Sequence, residues 1–274
     1  MDFTLNTYQN LLQHFLEIHY HFLTFNNYIR SFLDKETASF HFNSSKPKQL
    51  NTSTSKLIIL RHDIDRKPEN ALKMAQIEHS LGIKASYYFR IVNESNNPNI
   101  IKQIVDLGHE IGYHYEDLAL ANGDYEKAIQ AFEKNLEYFR QFYPVKTICM
   151  HGSPLSKWDN RKLWEKYDYH QYGIIAEPYF DLDFNEIFYI TDAGRSWNNN
   201  KTSLRDRVDT KFKIKITSTN DILRLLDSNK LPAKILFNIH PHNWADGKAE
   251  WLKILVWQKT KNNIKNIIGN FRNG

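Results

Sequence analysis

The chain has 274 residues, enough for one large domain or two small ones, and its 41% hydrophobic and 24% charged content is that of an ordinary globular protein. The net charge of +5 comes from basic residues interspersed with acids along the whole chain, which argues against a nucleic-acid-binding stripe. The single cysteine, Cys149, excludes an intramolecular disulfide.

The start, Met1-Asp2-Phe3-Thr4, lacks the basic and apolar run of a secretory signal, and no stretch approaches the roughly 20 apolar residues a membrane span needs. The expectation is a cytoplasmic protein without stable membrane insertion. A homo-oligomer is possible, with no sequence feature to support it.

Tyr8, Leu11, Leu12, Phe15, Ile18, His19 and Phe22 recur at helical spacing and predict an N-terminal helix. The polar stretch 43–55 reads as a loop. Residues 1–55 are therefore set apart as an N-terminal helical extension and polar loop, and 56–274 as the main domain.

From Lys56 onward short apolar runs alternate with amphipathic helices. Leu57-Ile58-Ile59-Leu60 is a strand buried on both faces. Pro68 to Leu81 is a helix with proline in its first turn and Gly82 at its end. Ala85 to Phe89 is the next strand, followed by a helix from Ile100 to Leu107 closed by Gly108. His109 to Tyr115 gives a third strand. Asp124 to Tyr143 is a helix with Ala128, Ala131, Phe132, Leu136 and Phe139 on one face.

Further strands are expected at Val145–Met150, Gly173–Ala176, Ile187–Thr191 and Ala233–Ile239, with helices at Asp159–Tyr167 and Asn220–Leu226. Lys211 to Lys215 alternates as a half-exposed strand would. A last helix from Lys248 carries Leu252, Leu255 and Val256. This alternation predicts an α/β architecture of about seven parallel strands, as a barrel or a doubly wound sheet, with the active site at the strands' C-terminal ends.

Chemistry-bearing residues gather at those ends. The first strand runs into Arg61-His62-Asp63-Ile64-Asp65, an expensive place for two carboxylates unless they are paired, solvated or metal-bound, although Asp65 could instead cap the next helix. The third ends in Gly112-Tyr113-His114-Tyr115-Glu116-Asp117, and strand alternation places Glu110, Gly112 and His114 on one face. The fourth ends in His151, the sixth in Asp192-Ala193-Gly194-Arg195-Ser196-Trp197, and the seventh in His240-Pro241-His242-Asn243-Trp244. Imidazoles and carboxylates at one end suit a borderline divalent ion, and a nearby carboxylate suits a base for hydrolysis.

The run Gly108-His109-Glu110-Ile111-Gly112-Tyr113-His114, with Ala85-Ser86-Tyr87-Tyr88-Phe89 before it, resembles the polysaccharide deacetylase superfamily, the NodB-homology group also called carbohydrate esterase family four. The resemblance spans roughly Lys56 to Trp244. It implies a distorted (β/α) barrel, here with an added N-terminal helix, and a hydrolase that removes an acyl group, an N-acetyl above all, from a sugar or sugar conjugate. It also implies a divalent metal cofactor, zinc in many members, and a carbohydrate substrate. By resemblance Asp63 is the base and His240 the acid, Asp65 and His114 are metal ligands, and Asp192, Arg195 and Trp197 orient the base or line the pocket, with Trp244 a further wall.

This sequence departs from the family in three ways. Ile64 separates aspartates that are adjacent there, so their roles could be exchanged. Leu118 stands where the second metal histidine is expected, which leaves His151 or its rival Asp117 as third ligand. The family's base-steadying arginine is missing, and Arg61 or Arg195 would have to substitute. With a cytoplasmic location, a nucleotide- or lipid-linked intermediate of bacterial surface-polysaccharide synthesis fits better than a wall polymer. The alternatives are a metal-free hydrolase of another C–N bond in the same superfamily, and a non-catalytic carbohydrate-binding barrel.

Overall fold

The computed structural model describes residues 1–38, 56–153, 156–198 and 207–257; the polar loop expected at 43–55 lies outside them. Helix α1 (Leu5–Glu17) opens on Thr4, whose Oγ1 accepts from the Thr7 amide, and buries Tyr8, Leu11, Leu12 and Phe15. The helical period does not carry on through Phe22 as expected. His19 takes a φ of 65°, the chain turns, and His21–Leu23 becomes strand β1, followed by α2 (Phe25–Ala38). Phe22 happens to fall in the helical register yet packs on the same core from a strand.

The main run follows as β2 (Leu57–Ile64), α3 (Pro68–Ser80), β3 (Ser86–Phe89), α4 (Pro98–Asp106), β4 (Glu110–Tyr115), the short α5 (Asp117–Leu120), α6 (Tyr125–Arg140) and β5 (Ile148–Met150). It closes with α7 (Pro178–Asp181), β6 (Phe188–Thr191), α8 (Thr219–Asp227) and β7 (Lys234–Ile239), then a helix over 248–257. Every strand pair is parallel. The order β5-β4-β3-β2-β7-β6 makes a half-barrel with flanking helices, and β1 pairs with the first half of β2 where β3 pairs with its second half.

Strand alternation divides the side chains into two sets. Ile58, Leu60, Ile64, Tyr87, Phe89, Ile111, Tyr113, Phe237 and Ile239 face the helices and form the larger core. Ile59, Tyr88, Cys149, Tyr189 and Leu236 face the barrel interior, where Phe25 and Tyr28 of α2 pack against them. The N-terminus of α2 also donates inward, from Phe25 N to Ser86 Oγ at 2.7 Å and from Asn26 N to Glu110 Oε2 at 3.1 Å. The fully buried Glu110 carboxyl thus takes one helix-end amide beside the hydroxyls of Ser86 and Thr147. The N-terminal segment thus adds β1 to the sheet, and α1 and α2 pack Tyr8, Leu11, Leu12, Phe15, Phe25 and Tyr28 into its cores.

Gly112 occupies the interior face between Glu110 and His114. A β-carbon there would lie 2.3 Å from the buried Tyr88 ring, so the close approach of β3 and β4 requires glycine.

Three expected elements differ. Residues 173–176 form only an isolated bridge, Thr147 with Ala176, because Glu177 caps α7 immediately afterwards and ends the extension; β1 supplies the seventh strand instead. Residues 211–215 alternate in burial but pair with nothing that would make them a strand. The helix expected at 159–167 is a 3-10 turn, Asn160–Glu165.

Candidate metal and acid–base site

Strand β2 stays extended past Leu60 and carries Arg61 and Asp63 on its interior face. Both are essentially buried, and they meet in two parallel bonds, Arg61 Nε to Asp63 Oδ1 at 2.9 Å and Nη2 to Oδ2 at 2.6 Å. Asn238, one layer across on β7, donates to Asp63 Oδ2 at 3.1 Å and is shared with Tyr189 OH. Burial would raise Asp63, but Arg61 outweighs it, helped by His114 and His240, and the carboxyl sits at about 2.

Asp65 lies just beyond the strand end. It does not cap α3, whose N-cap is Lys67 with no side-chain bond. Its Oδ1 is buried and accepts no hydrogen bond, while His114 Nε2 lies 3.6 Å away and His151 Nε2 3.5 Å away. Burial alone would raise this carboxyl, yet the surrounding imidazoles of His114, His151, His240 and His242 hold it well below the usual range.

Each imidazole has its other nitrogen fixed. His114 Nδ1 donates to the Cys149 carbonyl at 2.9 Å, and His151 Nδ1 donates to Glu116 Oε2 at 2.8 Å. Both Nε2 atoms are thereby left as lone-pair donors towards one point. The ligand atoms of Asp65, His114 and His151 all lie within 4.8 Å of one another. One carboxylate and two imidazoles, with an orphaned buried oxygen between them, fit a zinc-like divalent ion.

Asp117, the rival third ligand, is committed elsewhere. It accepts Tyr113 OH at 2.9 Å and Asn135 Nδ2 at 2.8 Å, and burial pushes it up to about 7. Leu118 is fully buried in the helix-side core, so the short turn of α5 directs that position away from the site.

On the other flank His240, at the end of β7, presents Nε2 3.9 Å from Asp63 Oδ2. Its Nδ1 donates to Asp192 Oδ1 at 2.7 Å, and Trp244 Nε1 donates to the other oxygen of Asp192, also at 2.7 Å. Burial would lower His240, but the Asp192 bond and charge raise it to about 10, so it is an imidazolium at neutral pH. His242, which stood in the seventh strand's end run without an assigned role, has its ring 5.9 Å from that of His240.

Three expected pocket residues serve other ends. Trp197 is buried at 1% exposure, stacked on Phe237 and Phe3 with its indole N–H on Thr219, so it is core rather than a sugar platform. Trp244 is buried too and reaches the site only through Asp192. The Arg195 guanidinium lies over the Phe3 and Trp251 rings and hydrogen-bonds to nothing in the cluster, leaving Arg61 as the arginine on Asp63. Sequence reasoning also gave no role to Asn238 or Arg90, and named Glu116 only as part of its strand-end run. Asn238 was findable, because it precedes His240 by two on one strand and so shares its face.

No family model matches the chain, and no curated protein matches it. Among solved structures it is similar to a CE4 family pseudoenzyme from Bacillus anthracis, at 15% identity over 76% of this chain and 62% of that one, with a TM-score of 0.40. The catalytic domain of a peptidoglycan N-acetylglucosamine deacetylase from Eubacterium rectale aligns at 15% identity over 82% and 90% of the two chains, with a TM-score of 0.40. Peptidoglycan deacetylase PdaC from Bacillus subtilis aligns at 12% identity over 76% and 95%, with a TM-score of 0.36. The chain spans less than two thirds of the length of the Bacillus anthracis protein, 62%.

Proposed function

We propose that this chain is a hydrolase that removes an acyl group, N-acetyl in the first instance, from a sugar or sugar conjugate. The observation that carries the reading is the arrangement around Asp63: a carboxylate held ionised by Arg61, flanked at 4.0 Å by His114 Nε2 and at 3.9 Å by the cationic His240. Base, acid and cation-holding groups converge on one point at the strands' C-terminal ends.

Asp65, His114 and His151 would hold a divalent ion, zinc by donor set, which supplies Lewis acidity towards the acyl oxygen and acidifies the attacking water. That help is needed, because a carboxylate titrating near 2 is a poor base towards ordinary water. Asp63 receives the water proton at Oδ2 as the oxygen adds to the acyl carbon. His240 delivers its Nε2 proton to the departing nitrogen as the C–N bond breaks. The products are the free acid and the amine. Arg61 and Asn238 fix the direction of Asp63, and Asp192 fixes the charge and ring plane of His240.

A place inside the cell, acting on a nucleotide- or lipid-linked precursor of a bacterial surface polysaccharide, completes the reading; among the described residues no helix is long and apolar enough to cross a membrane. The test is acetate release from N-acetylated sugars and their nucleotide conjugates by zinc-loaded protein, beside His114→Ala. Release by the wild type that His114→Ala abolishes together with bound zinc supports the reading. Zinc binding without acetate release from any of these substrates would sink the deacetylase assignment and leave a binding-only barrel. Activity indifferent to chelators would transfer it to metal-free hydrolysis.

A further inference from the structure

His151 reaches the cluster from β5, a strand away from the position where Leu118 is buried, and its placement has a visible cause. Its Nδ1–H ends on Glu116 Oε2, and the other oxygen of Glu116 takes Arg90 Nε at 2.6 Å. Arg90 follows the end of β3, Glu116 the end of β4, and His151 the end of β5, so three neighbouring strands each contribute one residue. The same guanidinium donates from Nη1 to the Asp65 carbonyl at 3.1 Å. Ser153 adds a donor to Glu116 Oε2 at 3.0 Å, and Asn160 holds the His151 carbonyl at 2.8 Å. Glu116 is buried to 3% exposure, and its carboxyl is lowered to about 2 because His151 and Arg90 outweigh the effect of burial.

We propose that Arg90 and Glu116 are the positioning pair that makes His151 the third metal ligand, in place of the one the chain lacks at Leu118. Glu116 selects the tautomer, keeping the proton on Nδ1 and the lone pair on Nε2. Arg90 neutralises Glu116 and ties it to the backbone of Asp65, so two ligands on different strands share one anchor. The inference rests on the metal-dependent reading above.

The experiment is zinc affinity of the full chain, measured by competition with a chromogenic chelator, for wild type, Glu116→Gln, Arg90→Met, His151→Ala and the Glu116→Gln/His151→Ala double variant. Melting of each metal-free protein is recorded alongside. Glu116→Gln is expected to weaken zinc on the order of 10- to 100-fold. The double variant should bind no more weakly than His151→Ala alone, since Glu116 acts through that ring. Leu118→His in the His151→Ala background should restore nothing, because that side chain points into the core. Should Glu116→Gln fail to fold, Arg90→Met carries the same test from the outer side, with a smaller loss that also vanishes in the His151→Ala background. Unchanged affinity in Glu116→Gln beside a loss in His151→Ala, or losses that add in the double variant, would overturn the proposal while leaving the metal reading standing. A wild type that takes up no zinc removes the metal reading itself.

Discussion

Two carboxylate–histidine clusters are built on consecutive residues of β2, and they face opposite sides of the sheet. His62 points to the helices, where Glu78 of α3 accepts Tyr8 OH at 2.5 Å and Tyr87 OH at 2.7 Å and pairs with His62 Nε2 at 2.7 Å. His109 closes that cluster, its Nε2 on the Ala75 carbonyl and its Nδ1 accepting the Ala85 amide. Glu78 is fully buried with both oxygens saturated, and the only unpaired side-chain atom in the group is His62 Nδ1, on a ring stacked against Tyr87. Asp63 points the other way, into a cluster where the buried Asp65 Oδ1 accepts no hydrogen bond and the Nε2 atoms of His114 and His151 lie 3.6 and 3.5 Å from it. Composition does not separate the two clusters. Valence does: the helix-side carboxylate has both oxygens met from within the protein, whereas the interior cluster leaves a buried carboxylate oxygen of Asp65 open.

Substitutions can break that distinction or sharpen it. His240→Ala should lower kcat/KM on acetylated sugar by about 10²- to 10⁴-fold, the usual contribution of a positioned acid, with zinc affinity retained. Glu78→Ala should do the reverse, costing about 3–5 kcal/mol in denaturant unfolding by stranding the buried His62 and tyrosine donors, with zinc affinity of the folded fraction unchanged. If Glu78→Ala abolished zinc binding in folded protein, the clusters would be one unit and the comparison would fail.

Asp117 offers a pH test between the two. Burial raises its folded pKa to about 7, so the native state holds a proton that the unfolded chain releases near 4. Stability from this group is present at low pH and is lost as pH rises from about 4 to 7, by up to about 4 kcal/mol at 1.4 kcal/mol per unit. Asp117→Asn should flatten its share of the slope in unfolding free energy measured across that window; an unchanged slope would contradict the raised carboxyl. Smallest is Gly112→Ala, expected to cost about 1–3 kcal/mol as the Tyr88 ring is displaced, and to disturb His114 two residues along β4.

Much of the fold was readable in the sequence because burial on both faces leaves unbroken apolar runs and the caps are local. Leu57–Leu60, the proline that opens α3, and the long amphipathic α6 all declare themselves within a few residues. Strand ends also pointed to Asp63, Asp65, His114, His151, Asp192 and His240, since parallel sheets bring those ends to one side whatever the register. The N-terminal helix was readable from its apolar stripe, but the chain after it was not, because Phe22 keeps a helical period across a turn that only the positive φ of His19 reveals. Trp197 and Trp244 looked like platforms because sequence gives proximity to a strand end but not depth, and both are buried.

The sequence by itself determined a parallel α/β chain and the set of ionisable groups at its strand ends, because periodicity and alternation act over distances shorter than an element. Only the tertiary structure decided which of those groups meet. That Glu116 and Arg90 hold His151 from neighbouring strands, and that Leu118 turns into the core, follow from strand order and register. Those are set by packing between residues far apart in the chain, and no local pattern encodes them.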